Sequence, residues 1–130
     1  MAEQVNHPSH YNSGPKNADG TAVYEAIKVI EDWGAGFCSG NALKYISRAA
    51  YKGTPKQDLE KALWYLRRNS DEFSSNQPEG ALLPEDVALA WGLNLTLSKV
   101  ITCIYRSLQD HGDQTQAAEA LARYIDDEGK

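Results

Sequence analysis

Cysteine, methionine, phenylalanine and histidine are scarce in this chain: its 130 residues include two, one, two and three of them. Cys38 and Cys103 stand inside helical patterns, without the close pairing of a zinc ligand set or a disulfide framework. They read as two buried thiols of a reducing compartment. No apolar run approaches the roughly 20 residues that a membrane span needs. The polar, Pro/Asn/Ser-rich stretch from Met1 to Asn17 lacks the apolar core of an export signal, so the expectation is a cytoplasmic protein. A Gly-x4-Gly-Lys-[Ser/Thr] string is also missing, and Gly-Lys occurs only as Gly129-Lys130. This excludes the Walker-type phosphate cradle. Basic charge is in deficit too, 13 Lys and Arg against 18 Asp and Glu, for a net charge of −5. That balance argues against non-specific binding to duplex nucleic acid.

The basic charge that is present is concentrated. Residues 41–68 carry Lys44, Arg48, Lys52, Lys56, Lys61, Arg67 and Arg68 against Asp58 and Glu60, while both flanking regions are acidic. A local cationic patch on an acidic chain suits a small anion such as a nucleotide or phosphate.

The length fits one domain, and the apolar periodicity is helical throughout. Residues 1–20 read as an extended arm, because Pro8, Gly14, Pro15 and Gly20 interrupt regular structure. Residues 21–73 form a first helical unit. Its first helix is expected from Thr21 as N-cap through Val23, Ala26, Ile27, Ile30 and Trp33, with Gly34 as a left-handed stop. A second is expected from about Cys38 to Tyr51. A third is capped by Thr54 and Gln57, with Pro55 at its first position. Residues 74–84 read as a linker, and residues 85–130 as a second unit packed on the first. The fold class expected is all-α.

The second unit reads as a degenerate copy of the first. Trp33-Gly34, Phe37, Ile46 and Arg48 match Trp91-Gly92, Leu95, Ile104 and Arg106 at a shift of 58 residues. One inserted residue later, Gln57 matches Gln116, and Tyr65-Leu66 matches Tyr124-Ile125. Helices are therefore expected near 85–91, 95–110 and 114–127, the last with Asp113 as its cap. Asn41, Lys44 and Tyr45 become Lys99, Thr102 and Cys103. The packing positions persist while the polar constellation is lost.

That constellation is the leading candidate site. On a helix, Asn41, Lys44, Tyr45, Arg48 and Lys52 share an arc of about 100°, and Ala42, Leu43, Ile46, Ala49 and Ala50 lie opposite. Lys and Arg clamp phosphate oxygens, while Asn and Tyr direct hydrogen bonds to a sugar or base. Gly40, near the helix N-terminus, is expected to present a free backbone N–H to an anion. On the third helix Lys61, Trp64, Tyr65 and Arg68 lie away from the core stripe of Leu59, Ala62, Leu63 and Leu66. Such a surface stacks a base or makes a helix or subunit contact, and the contact role is favoured for Trp64.

The most unusual string is His7-Pro8-Ser9-His10-Tyr11. Its two imidazoles have the chemistry to hold a phosphate or move a proton. His111 is too remote in pattern to serve as a third ligand, so no metal site is assigned.

Four blocks occur in order here: Val5-Asn6-His7-Pro8-Ser9-His10-Tyr11, Trp33-Gly34, Gly40-Asn41-Ala42-Leu43-Lys44-Tyr45-Ile46-Ser47-Arg48-Ala49, and Asp58-Leu59-Glu60-Lys61-Ala62-Leu63-Trp64-Tyr65-Leu66. Together they resemble a family of small phage-encoded proteins that includes the nucleotide kinase of T-odd coliphages. The resemblance implies a phage protein working in the cytoplasm of the infected bacterium, a nucleotide ligand, and kinase chemistry on deoxynucleoside monophosphates without a P-loop. On that reading His7, His10, Lys44 and Arg48 are catalytic. Ser9, Tyr11, Gly40, Asn41, Tyr45 and Lys52 join Lys44 and Arg48 in binding the nucleotide, and Mg²⁺ arrives with it. Two other readings stay open. One is a non-catalytic nucleotide binder, for mono- or triphosphates or a signalling nucleotide. The other is a helical interaction module that meets a host protein or single-stranded DNA. Homo-oligomerisation is expected in each case, and a membrane or duplex DNA partner in none.

Overall fold

The computed structural model of the protein describes residues 24–49, 55–68, 81–110 and 113–128. Among them are six α-helices and no strand: α1 (Ala26–Trp33), α2 (Phe37–Ala49), α3 (Pro55–Arg68), α4 (Pro84–Trp91), α5 (Leu95–Gln109) and α6 (Thr115–Glu128). The fold is all-α. No described helix is long and apolar enough to cross a membrane.

Local chemistry sets the helix ends. Gly34 and Gly92 both adopt the left-handed conformation, with φ of 68° and 70°. A side chain there would clash with its own backbone. Each is followed by the same closing bond, Ala35 N–H to Ile30 and Leu93 N–H to Ala88, both 3.0 Å. Pro84 opens α4, where a missing N–H costs nothing. Asn94 caps α5 by accepting from the Leu97 N–H at 2.9 Å. Asp113 accepts the Thr115 N–H at the start of α6.

Three sequence expectations are corrected. The described helix α1 begins at Ala26, since Glu25 is extended (φ −58°, ψ 143°); Thr21 lies outside the described residues. Ile27 is 51% exposed. The buried face is set by Ala26, Val29 and Trp33, and Ile27 sits about 100° round the helix from Ala26. The linker does not extend to residue 84. Its last residues are tied down: the Asp32 carboxylate accepts the N–H groups of Ala81 (3.2 Å) and Leu82 (2.8 Å).

The helices bury one continuous core. Val29, Trp33, Leu43, Ile46 and Leu66 come from α1–α3, and Val87, Val100, Ile101, Ile104 and Leu121 from α4–α6. Within the halves α2 packs on α3 and α5 on α6; between them α3 packs on α6, and α1 and α2 on α5.

The halves also exchange equivalent bonds. The Trp33 indole N–H donates to the Leu82 carbonyl at 2.7 Å, and the Trp91 indole N–H donates to the Tyr24 carbonyl at 2.7 Å. Trp91 and Leu82 stand 58 residues after Trp33 and Tyr24. Residue i of one half thus grips residue j of the other, and the reverse, as in an isologous dimer. The same shift relates the first-turn bonds Val29 N–H to Glu25 and Val87 N–H to Leu83.

Candidate functional site

Helix α2 contains no acidic residue. Its apolar side, Ala42, Leu43, Ile46 and Ala49, is buried. The opposite side therefore presents Phe37, Asn41, Lys44, Tyr45 and Arg48 along one stripe. Helix α3 runs antiparallel beside it: Phe37 meets Tyr65, while Tyr45 meets Lys61 and Tyr65. Its own stripe, Lys61, Trp64, Tyr65 and Arg68, adjoins that of α2.

Tyr45 is the centre of this face. Its ring stacks on Tyr65, with centroids 6.1 Å apart and planes inclined by 16°. Three cations approach the same ring: Lys44 Nζ at 4.9 Å, Lys61 Nζ at 5.5 Å and the Arg48 guanidinium carbon at 5.7 Å from its centroid. Each contact is an attraction to the ring quadrupole. Collecting three like charges on one phenol has an electrostatic cost, which a polyanion would relieve. Further out, Tyr65 meets Phe37 edge-on at 5.9 Å and Trp64 edge-on at 5.0 Å. Arg68 lies over the Trp64 ring at 4.9 Å. Trp64 is 55% exposed, so it is not spent on a contact between described helices.

The structure thus brings together Lys44, Tyr45 and Arg48 from the expected set. Asn41 stands on the same stripe, its amide donating to the Phe37 carbonyl at 2.8 Å. Gly40 is corrected. Its N–H is not free; it donates to the Gly36 carbonyl at 2.9 Å. A Cβ on Gly40 would stand 3.2 Å from Cγ2 of Ile30, so the glycine lets α1 approach α2. His7, Ser9, His10, Tyr11 and Lys52 lie outside the described residues.

Two site residues escaped the sequence assignment. Lys61 and Tyr65 complete the Tyr45 cluster from α3. Each was visible as part of a cationic and aromatic surface, but the register between two helices is not written in either. Asp58 is a further unexpected feature: the residue is 3% exposed, and its Oδ2 has no hydrogen-bond partner among the described residues. It lies seven residues before Tyr65, two turns along the same side of α3.

A separate groove of about 610 Å³ runs between α3 and α6, lined by Leu66, Arg67, Ala118, Ala122 and Arg123 among others. It contains none of the candidate residues.

Residues 5–67 match the model of a family described as a protein of unknown function, DUF3310. The match takes in α1, α2 and α3 up to the residue before Arg68, and none of α4–α6. No curated protein and no solved structure matches the chain.

Proposed function

We propose that this chain is a nucleotide-binding protein of phage origin whose activity is P-loop-free phosphorylation of deoxynucleoside monophosphates. The observation that carries the binding part is the convergence of Lys44, Arg48 and Lys61 on Tyr45 from two helices. Three cations on one ring suit the phosphate group, and the Tyr45–Tyr65 stack beside them suits the base. Phosphoryl transfer rests on positioning and charge neutralisation, which such a cluster supplies without a glycine-rich cradle. The kinase part rests on the sequence resemblance. In that reading Mg²⁺ enters with the triphosphate, and His7 and His10 act from the N-terminal arm.

One observation favours the non-catalytic binder as a second reading. Helix α2 offers no carboxylate, and no group of three His, Cys, Asp or Glu able to hold a metal occurs among the described residues. Capture needs only the cations.

Thermal-shift measurements with mono-, tri- and cyclic nucleotides test binding. A raised Tm with at least one of them is expected; no shift with any removes both readings. Incubation with ATP, Mg²⁺ and each deoxynucleoside monophosphate then separates them. A diphosphate product supports the kinase, and ligand returned unchanged supports the binder. Lys44→Ala, Arg48→Ala and Lys61→Ala should each weaken binding by about 1.5–3 kcal/mol, the scale of a charge-assisted hydrogen bond.

A further inference from the structure

The nucleotide reading uses Tyr45, Tyr65 and the three cations. It leaves the outer part of the α2–α3 face without a role. Phe37 is 73% exposed and Trp64 55% exposed, on two sides of Tyr65, with Arg68 over Trp64. One base covers one ring face, and this surface offers more aromatic area than one mononucleotide uses.

We propose that the α2–α3 face binds a short single strand of nucleic acid, with Trp64 stacking a second base and Arg68 holding the phosphate beside it. The inference rests on the nucleotide reading and extends the same site outward. Along α3 two neighbouring rings, Trp64 and Tyr65, stand between two cations, Lys61 and Arg68, a set that offers two base platforms with a phosphate partner at either end. The stripe on α2 from Phe37 to Arg48 extends about 16 Å at 1.5 Å per residue, longer than one nucleotide requires. The selected ligand is single-stranded because stacking on Trp64 needs an unpaired base face. A duplex hides those faces and brings a second row of phosphates to a chain of net charge −5.

A second copy of the chain fits this face less well. Two-fold pairing would set Lys44, Arg48, Lys61 and Arg68 against the same four cations. Lysine is also depleted at protein interfaces, and two lysines stand near the centre here.

Tryptophan emission provides the test. Trp33 and Trp91 are 0% and 2% exposed, so quenching by an added base reports on Trp64. The full chain is titrated with dTMP, with dTMP plus a non-hydrolysable ATP analogue, with thymidine di-, tetra- and octanucleotides, and with a duplex. The tetranucleotide should quench at a concentration at least tenfold below any at which dTMP, seated on Tyr45 and Tyr65, quenches Trp64. With a 5′-phosphate the tetranucleotide carries four phosphates, and the logarithm of its affinity should fall with the logarithm of salt at a slope near −2.8 for four contacts, about 0.7 each. Measured by anisotropy of a labelled tetranucleotide, Trp64→Ala should weaken binding about 5- to 150-fold, and Trp64→Phe should retain most of it. Arg68→Ala should flatten the salt slope by about 0.7. Neither variant should change dTMP affinity. Equal affinities for dTMP and tetranucleotide, or a tetranucleotide affinity untouched by Trp64→Ala, overturns the strand while leaving the nucleotide reading intact. Full quenching by dTMP with the ATP analogue, and none by oligonucleotides, also overturns it. Binding of no probe removes both. A dimer abolished by Trp64→Ala, with no oligonucleotide bound, assigns the face to self-association instead.

Discussion

Replacing Trp33 by phenylalanine tests how the two halves hold each other. The indole N–H is lost, and the part-buried Leu82 carbonyl loses its 2.7 Å partner. An unpaired buried acceptor costs about 1–3 kcal/mol. Trp33 is fully buried, and a phenyl ring fills only the part of the indole nearest Cβ, so the void left at its far end adds about 1 kcal/mol at roughly 24 cal/mol per Å³. The expected loss is about 2–4 kcal/mol, a large share of a total stability of roughly 5–15 kcal/mol. At roughly 4 °C per kcal/mol this lowers Tm by about 8–16 °C. Trp91→Phe removes the equivalent donor to Tyr24 and should cost the same within about 1 kcal/mol. Urea unfolding followed by far-ultraviolet circular dichroism measures both. A loss below about 0.5 kcal/mol for either variant, the size of an ordinary surface substitution, refutes the assigned role of the exchanged bonds.

Further outcomes follow from single positions. Gly40→Val should destabilise the fold by about 1–3 kcal/mol, because its side chain overpacks against Ile30; shortening the neighbour in Gly40→Val/Ile30→Ala should recover part of the loss in the same urea assay. Gly40→Ala should leave nucleotide affinity unchanged, since the Gly40 N–H is already bonded within α2; calorimetry checks this. Gly34→Ala and Gly92→Ala should each cost about 1–2 kcal/mol through the left-handed backbone, equally for the two. Asp32→Ala removes the acceptor for two N–H groups and should cost about 1–2 kcal/mol. Faster proteolysis near residue 80 should accompany that loss.

Much of this fold was legible because it is written in short-range chemistry. Gly34, Gly92 and Asp113 set helix ends through short-range preferences, whereas Pro84, read as the end of the linker, opens α4. The spacing of Ala42, Leu43, Ile46 and Ala49 identified the buried side of α2, and so the side carrying Lys44, Tyr45 and Arg48. The 58-residue shift was readable as a pattern, but its physical content was not. The bonds from Trp33 to Leu82 and from Trp91 to Tyr24 join residues 49 and 67 positions apart. The pinning of Leu82 by Asp32 is likewise a contact that no local rule foresees. The site was legible by halves for the same reason. Each helix announced its polar stripe, whereas the meeting of Lys61 and Tyr65 with Tyr45 depends on how α2 and α3 are set side by side. Gly40 was misread because a glycine near a helix start serves either an anion or a close neighbour, and only the position of Ile30 decides between them.

The central claim is that the Tyr45 cluster is a phosphate site. Titration calorimetry of the full chain with deoxynucleoside monophosphates tests it most directly, using Arg48→Ala beside Arg67→Ala as a control of equal charge change. Arg67 lines the separate groove between α3 and α6. The expected result is saturable binding by the parent and by Arg67→Ala, with a loss of about 1.5–3 kcal/mol in Arg48→Ala. Binding that Arg48→Ala and Arg67→Ala weaken equally, or no binding by the parent, contradicts it.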